Sequence, residues 1–198
     1  MLRRSAAFLA RWTHTFVSLV GFGALVFFSV TGLTLNHAEF FESGEPVERA
    51  LLGEVDVDWV APERGDDVAR LEVVEALRRQ YGARGHVAEF SVDDAELFVL
   101  FETAGYSADV VVDRSTGSFD GVEAREGFWI VVNDLHKGRS TGAWWSVLID
   151  VSAIVLTVSG LTGLWLLWYV RKRRVSGFAA TAVGIAVLAV VYALFEAA

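Results

Sequence analysis

The order of apolar and polar positions divides the chain into three apolar runs and one long polar segment. Residues 13–35 contain no charged side chain. As a helix rising about 1.5 Å per residue, this run is long enough to cross a hydrocarbon core of roughly 30 Å. A second run, residues 143–170, is interrupted by Asp150 alone, and a third, residues 178–195, contains no charge. The pattern predicts three transmembrane helices.

The first run has a second interpretation. Arg3, Arg4 and Arg11 form a basic flank of the kind that also precedes a secretory signal peptide. The run is longer than a signal-peptide core, however, and no small-x-small cleavage motif follows it. We therefore expect it to be retained as a membrane helix.

Charge predicts the orientation of these helices. Residues 1–11 carry three arginines and no acid, and residues 171–174 are four consecutive cations. Lysine and arginine accumulate in cytoplasmic loops, so both segments are expected inside. The third helix then places the carboxyl terminus outside, unless that helix lies in the membrane interface.

The polar segment, residues 38–142, is expected outside and large enough to fold. It holds 23 of the 25 acids and 10 of the 17 cations, a net charge of −13. Its pattern predicts one helix, capped by Asp66 or Asp67 and ending at Tyr81 before Gly82, together with an antiparallel sheet. The expected strands are residues 87–92, 96–102, 106–112 and 118–122, and residues 42–65 are expected to be irregular. The predicted domains are therefore 1–37, 38–142, 143–170, 171–177 and 178–198.

The amino-acid composition limits which cofactors and reactions are expected. The chain is 54% apolar and contains no cysteine, which excludes disulfides, thiolate metal sites and covalently attached c-type haem. No hydrolase, phosphate-loop, flavin or nicotinamide motif is present. Because the segment outside the membrane is strongly acidic, nucleic-acid binding is not expected.

Three of the four histidines lie close to the ends of apolar runs. They are His14, His37 and His136, whereas His86 falls in the polar segment and is expected to be structural. Neutral imidazole is a good ligand for haem iron. His37 and His136 are predicted on the same side of the membrane, so they form our preferred bis-histidine pair for haem b. His14 lies about 35 Å from His37 along a helix and would belong to a separate inner site.

The inner site lacks a second histidine, which a homodimer would supply. In such a dimer, His37 of one copy pairing with His136 of the other is equally allowed. Asp150, Asn36 and Trp144 are candidates for groups that support the ligands or pack against the cofactor. The competing interpretation treats each histidine as an interfacial side chain that hydrogen-bonds to headgroups or water.

Several motifs together resemble the PepSY-associated transmembrane family, also described as iron-regulated membrane proteins. They are Arg11-Trp12-Thr13-His14, Thr31-Gly32-Leu33-Thr34-Leu35-Asn36-His37, the turn at residues 113–117, Asp134-Leu135-His136-Lys137-Gly138, and Ser159-Gly160-Leu161-Thr162-Gly163-Leu164-Trp165. The resemblance implies a helical membrane protein of the bacterial inner membrane with a small extracytoplasmic α+β PepSY-like domain. It also implies an association with haem and with reduction of siderophore-bound iron. This chain is shorter than the larger relatives and has too few helices to repeat the unit internally.

Two functions follow from these patterns. In the first, a b-type cytochrome takes electrons from a quinol or a cytoplasmic reductase and passes them to an outer ferric chelate, which leaves open whether the protein is itself an enzyme. In the second, the helices anchor a non-redox PepSY domain that binds or regulates another extracytoplasmic protein. A divalent-metal site formed by His37, His136 and Asp134 is a further alternative.

Overall fold

The computed structural model describes residues 2–42 and 44–196, and side chains from residue 6 onward. Its helices are α1 (Leu2–Asn36), α2 (Ala38–Phe41), α3 (Val57–Val60), α4 (Arg70–Tyr81), α5 (Phe128–Lys137), α6 (Ala143–Leu167) and α7 (Arg174–Glu196). Its strands are β1 (Val47–Glu54), β2 (His86–Val92), β3 (Glu96–Thr103), β4 (Tyr106–Asp113) and β5 (Ser118–Arg125). Short 3₁₀ turns occupy Pro62–Arg64 and Arg171–Arg173. The described chain divides into two compact units. The first contains the residues up to Phe27 together with those from Asp150 onward, and the second is Phe28–Ile149.

Three of these helices are long and apolar enough to cross a membrane: Ala6–Asn36, Ala143–Leu167 and Arg171–Glu196. The prediction of three apolar helices is confirmed, although α1 begins earlier and α6 ends three residues sooner than expected. This is a membrane protein. In the first unit α1 and α6 approach closely at Gly21, where an added Cβ would lie 2.9 Å from Cγ1 of Val155.

The second unit contains a five-stranded antiparallel sheet in the order β1-β5-β4-β3-β2. Alternate residues of β3 and β4 are buried, as expected when one face of a sheet packs on a core. Val73 and Leu77 of α4 belong to the same buried cluster as the sheet residues Leu97, Val99 and Phe101. The predicted combination of one helix and an antiparallel sheet is therefore confirmed.

The prediction that residues 42–65 are irregular is wrong. This segment contains β1 and α3, and β1 pairs with β5 from Val47 opposite Arg125 to Glu54 opposite Ser118. Leu51 is the one buried residue within β1. An edge strand with a single buried residue shows no clear alternation of apolar and polar positions. It was therefore not recognisable from the sequence.

The predicted start of α4 is also wrong, whereas its end is confirmed. Neither Asp66 nor Asp67 caps the helix, which begins after Ala69 without a side-chain cap. The backbone N–H of Ala69 instead donates to the carbonyl of Trp59 at 2.9 Å, so a tertiary contact replaces the cap. Gly82 ends the helix with a φ of 81°, a left-handed conformation that glycine adopts without strain.

A buried arginine fixes the segment that follows β1. Arg114 is 2% exposed, and its guanidinium donates to the carbonyls of Val60, Asp93, Ala61 and Gly65 at 2.8, 2.6, 3.2 and 2.6 Å. A buried charge is tolerated when its donors are hydrogen-bonded, and here four carbonyls satisfy them. Arg114 therefore attaches the residue 60–65 loop to the sheet.

A second buried charge lies on β5. The Glu123 carboxylate contacts Nε of Arg49 at 2.7 Å and Nη2 of Arg125 at 3.0 Å, and it accepts a hydrogen bond from the Tyr106 hydroxyl at 3.1 Å. Burial raises the pKa of Tyr106 above its usual value, and the hydrogen bond to Glu123 raises it further. The Glu123 carboxylate is thus paired with two guanidinium groups and one hydroxyl, as a buried carboxylate requires.

Candidate functional site

His14 lies on α1 and points its Nδ1 atom at α6. Nδ1 is 3.1 Å from the backbone carbonyl oxygen of Ser159, 3.2 Å from Oγ1 of Thr162 and 3.4 Å from Oγ of Ser18. The Thr162 hydroxyl donates to the carbonyl of Val158 at 2.7 Å, so towards His14 it is an acceptor. Two acceptors thus surround one ring nitrogen within an apolar helix pair.

This arrangement determines the tautomer of His14. A carbonyl oxygen can only accept, so Nδ1 must carry the proton that it donates to Ser159. In neutral imidazole the other nitrogen, Nε2, then presents a lone pair. Among the described residues, no hydrogen bond reaches that Nε2 atom. Histidine ligands of metals commonly have this form, with one ring N–H held by a carbonyl and the other nitrogen free to coordinate.

Glycine allows the ring to approach α6. A Cβ at Gly163 would lie 3.2 Å from Cε1 and 3.9 Å from Nε2 of His14. The first distance is closer than a side chain normally packs, so the imidazole rests against bare backbone. Thr162 and Gly163 together form the surface on which His14 lies.

His136 lies on α5, and α1 meets it with the same pair of residue types. Nδ1 of His136 is 2.6 Å from Oγ1 of Thr31, and a Cβ at Gly32 would lie 3.5 Å from Cε1. The ring of Phe28 stands edge-on to the imidazole with 5.2 Å between ring centres. A threonine hydroxyl can donate or accept, so the tautomer of His136 is not determined in the way that of His14 is.

A series of hydrogen-bonded polar side chains extends from the His136 site. Thr34 donates to Oδ1 of Asn133 at 2.7 Å, and Nδ2 of Asn133 donates to a carboxylate oxygen of Glu42 at 2.7 Å. Thr31 is 4%, Thr34 2% and Asn133 0% exposed. Asn133 lies one helical turn before His136, so these bonds fix the face of α5 that carries the histidine.

Further contacts hold α5 in place. The Asp134 carboxylate accepts the backbone N–H of Gly105 at 3.0 Å and pairs with Nζ of Lys137 at 2.9 Å. Nε1 of Trp145 donates to the carbonyl of Leu135 at 2.7 Å. Asp134 is thus engaged in structural contacts. Within the residues that the structure describes, no group of three or more histidine or acidic residues could hold a metal ion.

The remaining candidates occupy more exposed positions. His37 is the residue before α2; its side chain is 44% exposed and lies 3.9 Å from the Glu39 carboxylate. In the described chain, no hydrogen bond or ring contact joins His37 to His136, and the pairing of the two remains a prediction. His86 is exposed at the start of β2. Asn36 and Asp150 are exposed on α1 and α6, and Trp144 is 89% exposed, so their supporting roles also remain predictions.

A comparison with protein families matches the PepSY_TM-like family over residues 6–196. The chain belongs to this PepSY-associated transmembrane family. Neither the curated proteins nor the solved structures contain a match to it. The family therefore rests on a match across almost the whole chain, and it includes both histidine sites.

Two Thr-Gly-Leu sequences of this PepSY-associated protein contact the two histidine rings. Residues 31–33 and 162–164 both read Thr-Gly-Leu. In each, the threonine contacts Nδ1 of a histidine on another helix, and the glycine lies against that ring. Each half of the motif thus has a separate physical role, the hydroxyl as a hydrogen-bond partner and the glycine as space for the ring.

The sequence-based prediction overlooked the partners of these histidines. They are Ser18, Thr31, Ser159 and Thr162; Thr34 and Asn133, which hydrogen-bond to each other and position α5, were overlooked as well. A signal for most of them was present, because polar side chains inside an apolar span are costly and usually face a partner. The repeated Thr-Gly-Leu was a second signal. Asn133 was harder to find, since α5 was not predicted as a helix separate from the second span.

The donor sets of this PepSY-associated protein fit haem ligation at His14 and, less completely, at His136. His14 has the protonated Nδ1 that a ligand bound through Nε2 requires, and both rings lie beside glycine, where a flat macrocycle can approach the backbone. Both histidines are partly exposed in the isolated chain. Each site thus provides one imidazole.

Proposed function

We propose that this PepSY-associated membrane protein binds haem b through His14 and His136 and carries electrons across the membrane. Bound haem supplies a reversible one-electron carrier, and the histidines set its position and ligand field. His14 and Thr31 lie towards opposite ends of the apolar span Ala6–Asn36. The proposal therefore has one haem near each face of the bilayer.

The hydrogen bond from Nδ1 of His14 to the Ser159 carbonyl is the observation that carries this proposal. An interfacial histidine that served only to contact water or headgroups would not need its tautomer fixed by a carbonyl of another apolar helix. The Thr-Gly pair on each facing helix supports a common purpose for the two sites. Three apolar helices also exceed what a simple anchor requires.

The second ligand at each iron is proposed to come from a second copy of the chain or from His37. A twofold dimer would bring two His14 side chains into equivalent positions and would double the helical cover around the cofactor. Because His136 contacts α1 at Gly32, five residues or about 7.5 Å before His37, a pair within one copy requires the end of α1 to rearrange. A pair between copies does not have this requirement.

The electron donor is proposed to be a quinol or a cytoplasmic reductase, and the acceptor an outer ferric chelate. The orientation behind this assignment places residues 171–174 inside and the acidic sheet domain outside. The acidic surface of the sheet domain would attract a cationic partner from solution.

The test is the absorption spectrum of the full chain purified in mild detergent from haem-replete cells, recorded oxidised and then reduced with dithionite. We expect a low-spin b-type spectrum in the wild type. His14→Ala and His136→Ala should each remove a separate part of it, and His37→Ala should alter the part assigned to His136. His86→Ala is the matched control, because this exposed histidine should leave the spectrum unchanged.

A colourless wild-type protein from haem-replete cells would overturn the proposal. The second candidate would then be the tethered, non-redox domain. One observation favours it: a surface groove of about 340 Å³ runs along α4, lined by Trp59, Ala76 and the 69% exposed Leu71 together with charged residues. A groove of this kind suits contact with another protein, and a pull-down with the intact membrane protein would test it.

A further inference from the structure

The connection between α6 and α7 concentrates cations beside aromatic side chains. α6 ends at Leu167, and the backbone N–H groups of Trp168 and Tyr169 donate to carbonyls three residues earlier at 3.1 and 3.0 Å, which tightens the turn. Four cations follow at residues 171–174. Because the flanking helices are apolar and long enough to span, this turn lies at a membrane–water boundary.

A cavity of about 520 Å³ opens at this turn, and Trp168, Tyr169, Arg171 and Arg174 line it. The guanidinium carbon of Arg174 lies 3.9 Å from the centre of the Trp168 ring, a cation–π contact that holds the arginine against the cavity wall. In the described part of the chain, no carboxylate lies within ion-pair distance of residues 171–174. No ion pair with another described residue therefore compensates their positive charge.

The helix that follows adds to this potential. α7 runs for 23 residues from Arg174, and the amino end of a helix carries a partial positive charge. Cations are unfavourable at that end, and no acidic residue occupies its first turn. An anion in the cavity would relieve the repulsion and would also accept hydrogen bonds from two arginines, whose planar donors match a phosphate group.

We infer that this cavity binds the phosphate of an anionic phospholipid. Two features favour a lipid over a free anion. Tryptophan and tyrosine are the side chains that occupy the headgroup level of a bilayer, so a phosphate in this cavity is at the depth of a headgroup. The apolar surfaces of α6 and α7 continue directly from the cavity and can receive the acyl chains. This inference is independent of haem binding.

The test compares two double variants with the same change in charge. Arg171→Gln with Arg174→Gln removes the two cations that line the cavity, whereas Lys172→Gln with Arg173→Gln removes two that do not. The full chain is placed in nanodiscs of phosphatidylcholine containing a small fraction of phosphatidylglycerol, and native mass spectrometry counts the lipids that remain bound. Inorganic phosphate is added in a parallel series as the soluble competitor.

We expect wild-type protein to retain phosphatidylglycerol in preference to phosphatidylcholine. Each lost charged hydrogen bond between an arginine and the phosphate corresponds to at least about a tenfold change in affinity, so the Arg171/Arg174 variant should bind phosphatidylglycerol about a hundredfold more weakly. The Lys172/Arg173 variant should remain within about threefold of the wild type, because its cations act on the headgroup only through the general surface potential.

Three results would overturn the inference. Wild-type protein that shows no preference for phosphatidylglycerol would do so even if a variant failed to fold. Equal losses in both double variants would mean that general charge, and not the cavity, attracts the lipid. Displacement of the lipid by millimolar inorganic phosphate would identify a site for a soluble anion.

Discussion

The two histidine sites use the same pair of residues but differ in what fixes the imidazole. At His14, Thr162 shares the ring N–H with the backbone carbonyl of Ser159. At His136, the hydrogen bond that the ring makes among the described residues is to the Thr31 side chain, at 2.6 Å. The first site relies on a main-chain acceptor that no substitution removes directly, and the second relies on one hydroxyl.

The hydrogen bonds between side chains around the two histidines differ in the opposite way, since they are more numerous at the His136 site. At the His136 site, the buried side chains of Thr34 and Asn133 and the partly buried Glu42 form a series of hydrogen bonds that positions α5. The His14 site has a single hydrogen bond of this kind, between Ser18 and Ser159, with 2.7 Å between hydroxyl oxygens. We conclude that one site is fixed by the backbone of two packed helices, whereas the other depends on side chains that can be replaced singly.

The largest effect is expected from Asn133→Leu. The change removes an amide that is 0% exposed, together with its hydrogen bonds to Thr34 and Glu42; the Thr34 hydroxyl keeps the Thr31 carbonyl as an acceptor. Loss of these buried hydrogen bonds should lower the free energy of unfolding by about 3 kcal/mol. Detergent-based unfolding of the purified protein measures this change. Asn36→Leu replaces the other asparagine, which is exposed, and should alter stability by less than about 0.5 kcal/mol. Similar losses in both variants would contradict the role assigned to Asn133.

A smaller effect should distinguish Thr31→Val from Thr162→Val. Thr31→Val removes the hydroxyl that contacts His136 and should lower the free energy of unfolding by about 1 kcal/mol, a typical net value for one hydrogen bond. Thr162→Val should cost less, because His14 keeps the Ser159 carbonyl.

Nitrogen-15 NMR of histidine-labelled protein reports the tautomers directly. We expect His14 to keep its proton on Nδ1 in the wild type and in Thr162→Val, and the His136 signals to shift in Thr31→Val. A change of the His14 tautomer in Thr162→Val would show that the side chain, and not the carbonyl, fixes that ring.

The smallest effect concerns the two glycines. At Gly163 an added Cβ would lie 3.2 Å from the His14 ring, tighter than ordinary contact, whereas at Gly32 the corresponding distance from His136 is 3.5 Å. Gly163→Ala should therefore lower stability by about 0.5–1 kcal/mol, since crowding outweighs the higher helix propensity of alanine. Gly32→Ala should be neutral or slightly stabilising. Thermal unfolding midpoints of the two variants, measured side by side, test this order.

Much of the fold was predictable because its signals are local. Long uncharged runs identified the three apolar helices, and alternation identified β2 to β5, of which β3, β4 and β5 have buried inner residues. β1 was missed because it lies at the sheet edge with Leu51 as its one buried residue. The start of α4 was misplaced because the carbonyl of Trp59, which lies ten residues before Ala69, holds the preceding chain.

The candidate site was predictable in its histidines and not in their partners. His14 and His136 stand out because histidine is rare in this chain and both lie near apolar runs. Which helix faces each ring depends on packing between segments more than a hundred residues apart, as for Thr31 with His136. Single-sequence periodicity contains no information on that pairing. The acceptor for His14 is a backbone carbonyl, which no residue type could have revealed.

The sheet order has a consequence for how the chain is made. β1 emerges first but pairs with β5, so Leu51 must wait for Gly121 before its ladder can form. At about 5–20 residues per second, the intervening stretch of about 70 residues takes several seconds to synthesise. During that interval the early strand has no partner, and the acidic residues around it help to keep it soluble. The sheet therefore closes last at the edge that was synthesised first.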